Sequence, residues 1–329
     1  MVTFSAKDTF WDIRNFLAGR FLGATRDEFF LDEVIKLVFC KHELKCENTE
    51  RVEDVDLASL YRKTFKIVLK HHEDIYQDET CEIELDPVSI KYIDSKLNQL
   101  DLFNLERDII GDAYEIFMGD AIKGQSGQFF TPQNAAEALV KMVAPSPKSR
   151  IIDPACGSGG FLVAALKYWS IQNNKITDNS LYGVDKDNYL TRLAKVHLAC
   201  MGQKTKTIRC ADSLIWDENV LGKGGSQYDV VLTNPPYGER MSTIEGAAKL
   251  ARTLGRQMEA HPCAGVYAIT ADMDFETHYG KRANKRRKMY NGMIPCQLYM
   301  YYNAPKTEKM AKPMPKSGFD GKRTHFEKK

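Results

Sequence analysis

Long apolar runs are missing from this 329-residue chain. The longest near its middle, Phe161 to Leu166, falls far short of the roughly 20 residues that cross a bilayer, so no membrane partner is expected. C-x-x-C pairs are missing too, although the chain has eight cysteines. That spacing argues against a disulfide framework and for reduced thiols in a cytoplasm. The opening MVTFSAKD lacks the basic and apolar regions of an export signal, which also points to the cytoplasm. No internal repeat is visible. His42 and Cys46 stand four apart with Cys40 nearby, but a half-buried helix face accounts for that spacing, and no metal ligands are expected. His71 and His72 read as surface residues.

The composition is otherwise that of a globular protein, 43% apolar and 27% charged. The net charge of +2 hides an asymmetry: Phe275 to Lys329 holds 14 Lys+Arg against 4 Asp+Glu, which leaves −8 for residues 1 to 274. A basic C-terminal end on an acidic chain suits a polyanionic partner, and equally a solvated tail. The densest part, KRANKRRK at Lys281 to Lys288, reads as a loop able to neutralise phosphates or simply to stay in water.

Three regions emerge along the chain. Residues 1–122 carry apolar residues at helical spacing, as in FFLDEVIKLVF, and read as a helical domain. Asp8 or Thr9 is the expected cap of a first helix that stops at Gly19 or Gly23, and the acidic HHEDIYQDETCEIELDP reads as a loop. Residues 123–303 open with a polar, glycine-rich loop and a helix at NAAEALVKMV, with Asn134 as candidate cap. Strand RIIDPA, helix GFLVAALKYWSIQ, strand LYGVD, helix NYLTRLAKVHLACMG, strand TIRCAD and strand YDVVLTN then follow in turn. That alternation predicts an α/β domain with a parallel, doubly wound sheet, whose ligands bind at the carboxyl ends of the strands. Residues 304–329, lysine-rich and poor in apolar residues, read as a disordered tail.

Every one of these strands ends on a polar residue. The first runs into Asp153-Pro154-Ala155-Cys156-Gly157-Ser158-Gly159-Gly160; the next three end on Asp185, Asp212 and Asn234. The turn Gly157-Ser158-Gly159-Gly160, between strand and helix, lets backbone approach a ligand closely. An acid at the end of the next strand suits ribose hydroxyls. Asp153 would repel a dinucleotide's pyrophosphate and welcome an ammonium group. Adenosine joined to a cationic amino acid is S-adenosylmethionine, with Asp185 on the ribose and Asp212 accepting from the adenine amino group. Cys156 reads as a small residue rather than a nucleophile.

Asn234-Pro235-Pro236-Tyr237 then acquires a chemical meaning. An exocyclic base amine is a poor nucleophile because its lone pair is conjugated into the ring. Two rigid acceptors, the Asn234 side-chain oxygen and the Pro235 carbonyl, can take its N–H bonds and turn the lone pair toward the methyl donor. The prolines, Pro236 included, fix the bend, and Tyr237 offers a face on which a flipped base stacks.

The ordered set Asp153 to Gly160, Asp185 and Asn234 to Tyr237 resembles amino-methyltransferases of nucleic acid bases. GDAYEIFMGDAIKGQSGQFFTPQNAAEALVKMV followed by IIDPACGSGGFLVAAL is similar to the modification subunit of type I restriction-modification systems. The resemblance implies N6-methylation of adenine in DNA, with separate specificity and restriction subunits. It also implies that the loop Gln128, Phe129, Phe130, Thr131, Pro132 helps bind the cofactor. That family usually has phenylalanine at the position of Tyr237.

The tract from NPPYGERM to QLYMYY resembles instead the bacterial ribosomal RNA methyltransferases that act on guanine N2, without their RNA-binding THUMP domain. It implies ribosomal RNA as the alternative substrate, and a hybrid that binds cofactor or nucleic acid without turnover as a third reading. AGVYAITAD reads as a fifth strand, and KMYNG with MIPCQLYMYYN as a closing antiparallel hairpin around Asn291-Gly292. Pro295 falls inside the last strand, where a bulge or a weakened ladder is expected.

Overall fold

The computed structural model describes residues 5–21, 27–46, 56–76, 80–102, 108–121, 131–172, 180–215, 228–236, 244–260, 263–291 and 294–302. Five helices come first: α1 (Ala6–Arg20), α2 (Asp27–Cys46), α3 (Leu57–His71), α4 (Pro87–Leu97) and α5 (Ile109–Ala121). Local chemistry sets several of their ends. Asp56 accepts hydrogen bonds from the Ala58 and Ser59 N–H groups at the start of α3. Asp86 does the same for Val88 and Ser89 at α4, with Pro87 in the first turn, where a missing N–H is harmless.

The start of α1 differs from expectation. It begins at Ala6, with Ser5 rather than Asp8 or Thr9 at the cap position, and it runs through Gly19. Ala6, Phe10, Ile13 and Leu17 form one buried stripe, and burying Ala6 draws the helix back past Asp8, which sits in the first turn. Similarly, α6 (Gln133–Val143) starts before Asn134: Pro132 holds the cap position and its carbonyl accepts the Ala135 N–H at 2.9 Å. Of His71 and His72, only the first is a surface residue. His71 is exposed, with its Nδ1 2.5 Å from the carboxylate of Glu43, whereas His72 is half-buried, with its ring centroid 4.6 Å from that of Phe39.

The sheet holds β1 (Ile151–Asp153), β2 (Leu181–Asp185), β3 (Ile208–Cys210), β4 (Val230–Thr233), β5 (Gly265–Thr270), β6 (Lys285–Asn291) and β7 (Ile294–Tyr302), in the spatial order β3-β2-β1-β4-β5-β7-β6. The first five strands are parallel, while β7 is antiparallel to both β5 and β6. Helices α7 (Gly160–Ile171), α8 (Asn188–Cys200), α9 (Ile244–Ala260) and α10 (Phe275–Tyr279) connect the strands.

Alternation along the strands divides the core. Ile151, Val230, Leu232, Ile269 and Leu298 face α6 and α7. Ile152, Val231, Val266, Ala268 and Tyr299 face α9 and α10. Both faces are covered, as a parallel sheet requires. Close approach of α9 to α10 is possible because position 255 is glycine; a Cβ there would lie 2.1 Å from the Tyr279 carbonyl oxygen.

Helix α8 joins the two halves of the molecule. Leu190, Leu193, Val196 and Ala199 pack among α1–α5, while Ala194 and Leu198 pack against the sheet. Polar contacts reinforce the junction, among them Arg192 with Asp32 at 2.5 Å and the Thr205 hydroxyl donating to Asp74 at 2.6 Å. The expected boundary at residues 122 and 123 and the tail 304–329 lie outside the described residues.

Three expectations for the C-terminal strands need correction. The hairpin forms as expected, but Asn291 pairs with Ile294 and so ends β6 instead of standing in the turn. Pro295 causes no bulge, because pairing with β6 runs unbroken from Lys285 to Asn291. Pairing of β7 with β5 begins only at Gln297, so Pro295 lies beyond the end of β5 and has a strand on one side alone. The basic run is not a loop throughout: Lys285 to Lys288 form the first half of the edge strand β6.

Candidate active site

The carboxyl ends of the parallel strands meet at a cavity of about 620 Å³. Its floor is the turn after β1. There Gly157 and Gly159 take left-handed conformations, φ 51° and 88°, that disfavour any side chain. Closeness adds a second reason at Gly159, where a Cβ would come within 3.3 Å of the Ala194 Cβ on α8.

Carboxylates line three sides of the cavity. Asp153 is 2% exposed, and its Oδ1 accepts the Ala155 N–H at 3.1 Å. Burial pushes its carboxyl up to about 8, and the charge of Asp185 adds to the shift. Asp185 accepts from the Gly157 N–H at 2.8 Å on one oxygen and from the Asp187 N–H at 3.0 Å on the other. The second strand's acid therefore knits the glycine turn, and each of its oxygens keeps a lone pair for a ligand hydroxyl. Burial works to raise Asp212. A 2.9 Å contact with Lys186 and the Leu214 N–H at 3.0 Å outweigh it and hold the carboxyl below the usual range.

Asn234 ends β4 at the same cavity and is 6% exposed. Its amide nitrogen donates to the Thr131 hydroxyl at 2.8 Å. Its amide oxygen is buried and has no hydrogen-bond partner among the described residues. Such an acceptor costs free energy unless something completes it. Of the loop expected to bind cofactor, Thr131 thus holds Asn234 and lines the cavity, while Pro132 caps α6. Gln128, Phe129, Phe130 and Tyr237 lie outside the described residues. Ser158 and Gly160 line the cavity with Gly157. Pro236 lines it too and, with Pro235, also borders a smaller apolar hollow of about 50 Å³ under α9.

Sequence reasoning missed several lining residues. Tyr114 comes from α5, and Gly246, Lys249 and Leu250 come from α9. None carries a local signal, since only the packing of those helices brings them to the strand ends. Lys186 was more accessible to reasoning, as it directly follows Asp185.

These residues fit S-adenosylmethionine. A buried carboxylate suits an ammonium group, the left-handed glycine turn leaves room for a close ligand, and the acids ending β2 and β3 can accept from hydroxyl and amino groups. No metal is required by this donor set.

Comparison with known proteins agrees with this arrangement. Residues 105–262 match the family described as N-6 DNA Methylase. The chain is 29% identical over 163 residues to the type I restriction enzyme EcoEI methylase subunit of Escherichia coli, covering 45% of this chain and 32% of that protein. It is 26% identical over 197 residues to the putative RNA methyltransferase YpsC of Bacillus subtilis, covering 52% and 51%. The type I restriction-modification system methyltransferase subunit from Streptococcus thermophilus has the same fold, with a TM-score of 0.60 over 92% of this chain and 85% of that one at 16% identity. The chain spans about a third of the EcoEI subunit's length and about half of YpsC's. The chain thus shares the fold of the Streptococcus thermophilus methyltransferase subunit, with the strand order β3-β2-β1-β4-β5-β7-β6, and residues 105–262 are similar to the N-6 DNA Methylase family.

Proposed function

We propose that this chain transfers a methyl group from S-adenosylmethionine to the N6 amino group of adenine in DNA. It would do so as the modification subunit of a type I restriction-modification system, beside a specificity subunit and a restriction subunit. One observation carries the reading: the Asn234 amide oxygen is buried at the cavity without a partner, while its nitrogen is committed to Thr131. The Thr131 contact fixes which end of the amide points at the substrate, leaving an acceptor preset for an amine.

When bound, S-adenosylmethionine supplies an electrophilic methyl on a sulfonium. The chain's own groups do the rest. Asn234 Oδ1 and the Pro235 carbonyl accept the two N–H bonds of the amine, which localises the nitrogen lone pair. Asp153, protonated at pH 7 before cofactor binds, would give up that proton to face the cofactor's ammonium group as a carboxylate in a dry site. Asp185 and Asp212 accept from hydroxyl and amino groups. By the resemblance, Tyr237 would supply a stacking face, and Gln128, Phe129 and Phe130 would help bind the cofactor.

The test uses the chain with its specificity subunit, methyl-labelled S-adenosylmethionine and duplex DNA, with modified nucleosides identified by mass spectrometry. N6-methyladenine is expected, and Asn234→Ala should reduce it by about 100-fold or more. Similarity to YpsC supports a second reading, guanine N2 in ribosomal RNA; N2-methylguanine in RNA from an unmodified strain would favour it over the first. If the chain binds S-adenosylmethionine but neither product forms, with or without Asn234→Ala, it is a binder without turnover.

A further inference from the structure

We propose that the edge strand β6 is a docking surface for the phosphate backbone of duplex DNA beside the target nucleotide. This rests on the function proposed above and adds a surface to it. Lys281, Arg282, Lys285, Arg286, Arg287 and Lys288 are all exposed. Arg286 contacts Glu276 at 3.3 Å, whereas Lys285, Arg287 and Lys288 form no ion pair among the described residues.

Register ties this strand to the cavity. Arg287 pairs with Leu298, and Leu298 pairs with Ile269. Thr233 pairs with Ala268, so Asn234 is level with Ile269. Ile269, Leu298 and Arg287 therefore form one row across the sheet, and extending the β4–β5 register by one residue brings Asn234 to its end. Three strand spacings place Arg287 about 14 Å from Asn234. That is the axial length of about four base pairs. A duplex with its target base at Asn234 would bring phosphates over β6.

Chemistry favours a polyanion. Charge on an edge strand also blocks strand-to-strand aggregation, but alternating signs would serve that end as well. Residues 281–288 instead hold six basic residues and no acidic one, while residues 1–274 are net −8. Tyr290, 69% exposed, continues the strand toward the carboxyl edge and adds an aromatic face. Basic groups with an exposed ring beside them suit nucleic acid.

The test compares the full chain with K285Q/R287Q/K288Q, measuring fluorescence anisotropy of a labelled duplex between 50 and 200 mM salt. Three lost phosphate contacts lower the slope of log affinity against log salt by about 2.7, so the wild-type chain should lose about 40-fold more affinity than the variant over that range. S-adenosylmethionine binding and the thermal melt should be unchanged, and K285R/R287K/K288R should keep the wild-type slope. Equal slopes for wild type and the Gln variant would overturn the proposal while leaving adenine methylation intact. A slope loss seen with structured RNA and absent with DNA would overturn the DNA assignment. If wild type neither binds nor methylates DNA, the function proposed above fails first.

Discussion

Replacing Asp153 by asparagine should make the protein more stable above neutral pH while weakening its hold on cofactor. The wild-type carboxyl is pushed up to about 8 by burial, with Asp185 adding to the shift. Below about pH 4 it is protonated both folded and unfolded and contributes no pH dependence. Between about pH 4 and 8 the folded state keeps a proton that the unfolded chain has released, so stability falls as pH rises, by up to about 1.4 kcal/mol per unit. By pH 7 the accumulated penalty is about 4 kcal/mol, and it is complete above the folded value near 8. Asparagine keeps an acceptor for the Ala155 N–H but has no charge to desolvate. Urea unfolding of both proteins at pH 5, 6, 7 and 8 isolates the effect, because every other titrating group cancels in the difference. The gap should widen in favour of Asp153→Asn by about 1.4 kcal/mol for each unit up to pH 7. Calorimetry should show weaker S-adenosylmethionine binding for the variant, and wild type should release about one proton on binding at pH 7. Parallel stability curves would refute a buried, proton-holding carboxyl at this position.

Other substitutions probe the same site and its supports. Asn234→Ala should reduce methyl transfer by about 100-fold or more and change unfolding stability by only about 1 kcal/mol, since it removes an unpartnered acceptor along with one hydrogen bond. Gly159→Ala should destabilise the turn by about 1–2 kcal/mol and weaken cofactor binding in a titration, because its left-handed backbone and the nearby Ala194 disfavour a Cβ. Gly255→Ala should lower the thermal midpoint through a loss of about 1–3 kcal/mol, because its Cβ would meet the Tyr279 carbonyl.

Much of the site was legible because its chemistry sits in consecutive residues at strand ends. Asp153, Asp185, Asp212 and Asn234 each follow a short apolar run, and a parallel sheet must bring such ends to one edge. What stayed hidden depends on partners distant in sequence. Thr131 was assigned to cofactor binding by resemblance, yet its described contact is with Asn234, 103 residues away. Tyr114 and Lys249 reach the cavity only through how α5 and α9 pack. Helix α9 escaped notice although Ala248, Ala251 and Leu254 form a buried stripe at helical spacing on an otherwise polar segment. Pro295 was read correctly as an obstacle to an internal strand; sequence could not reveal that β5 stops short of it. The start of α1 shows tertiary burial overriding a local cap signal.

A single helix, α8, has one oily stripe in each of two cores. Melting either core strips α8 of half its cover, so the bundle and the sheet should fall together in one transition rather than in sequence. Cutting the chain just before residue 131 would leave the later piece with Leu190, Leu193 and Val196 bare to water, an invitation to aggregate. A fault in the bundle would then be felt at the glycine turn, because Ala194 of the same helix lies directly beneath Gly159.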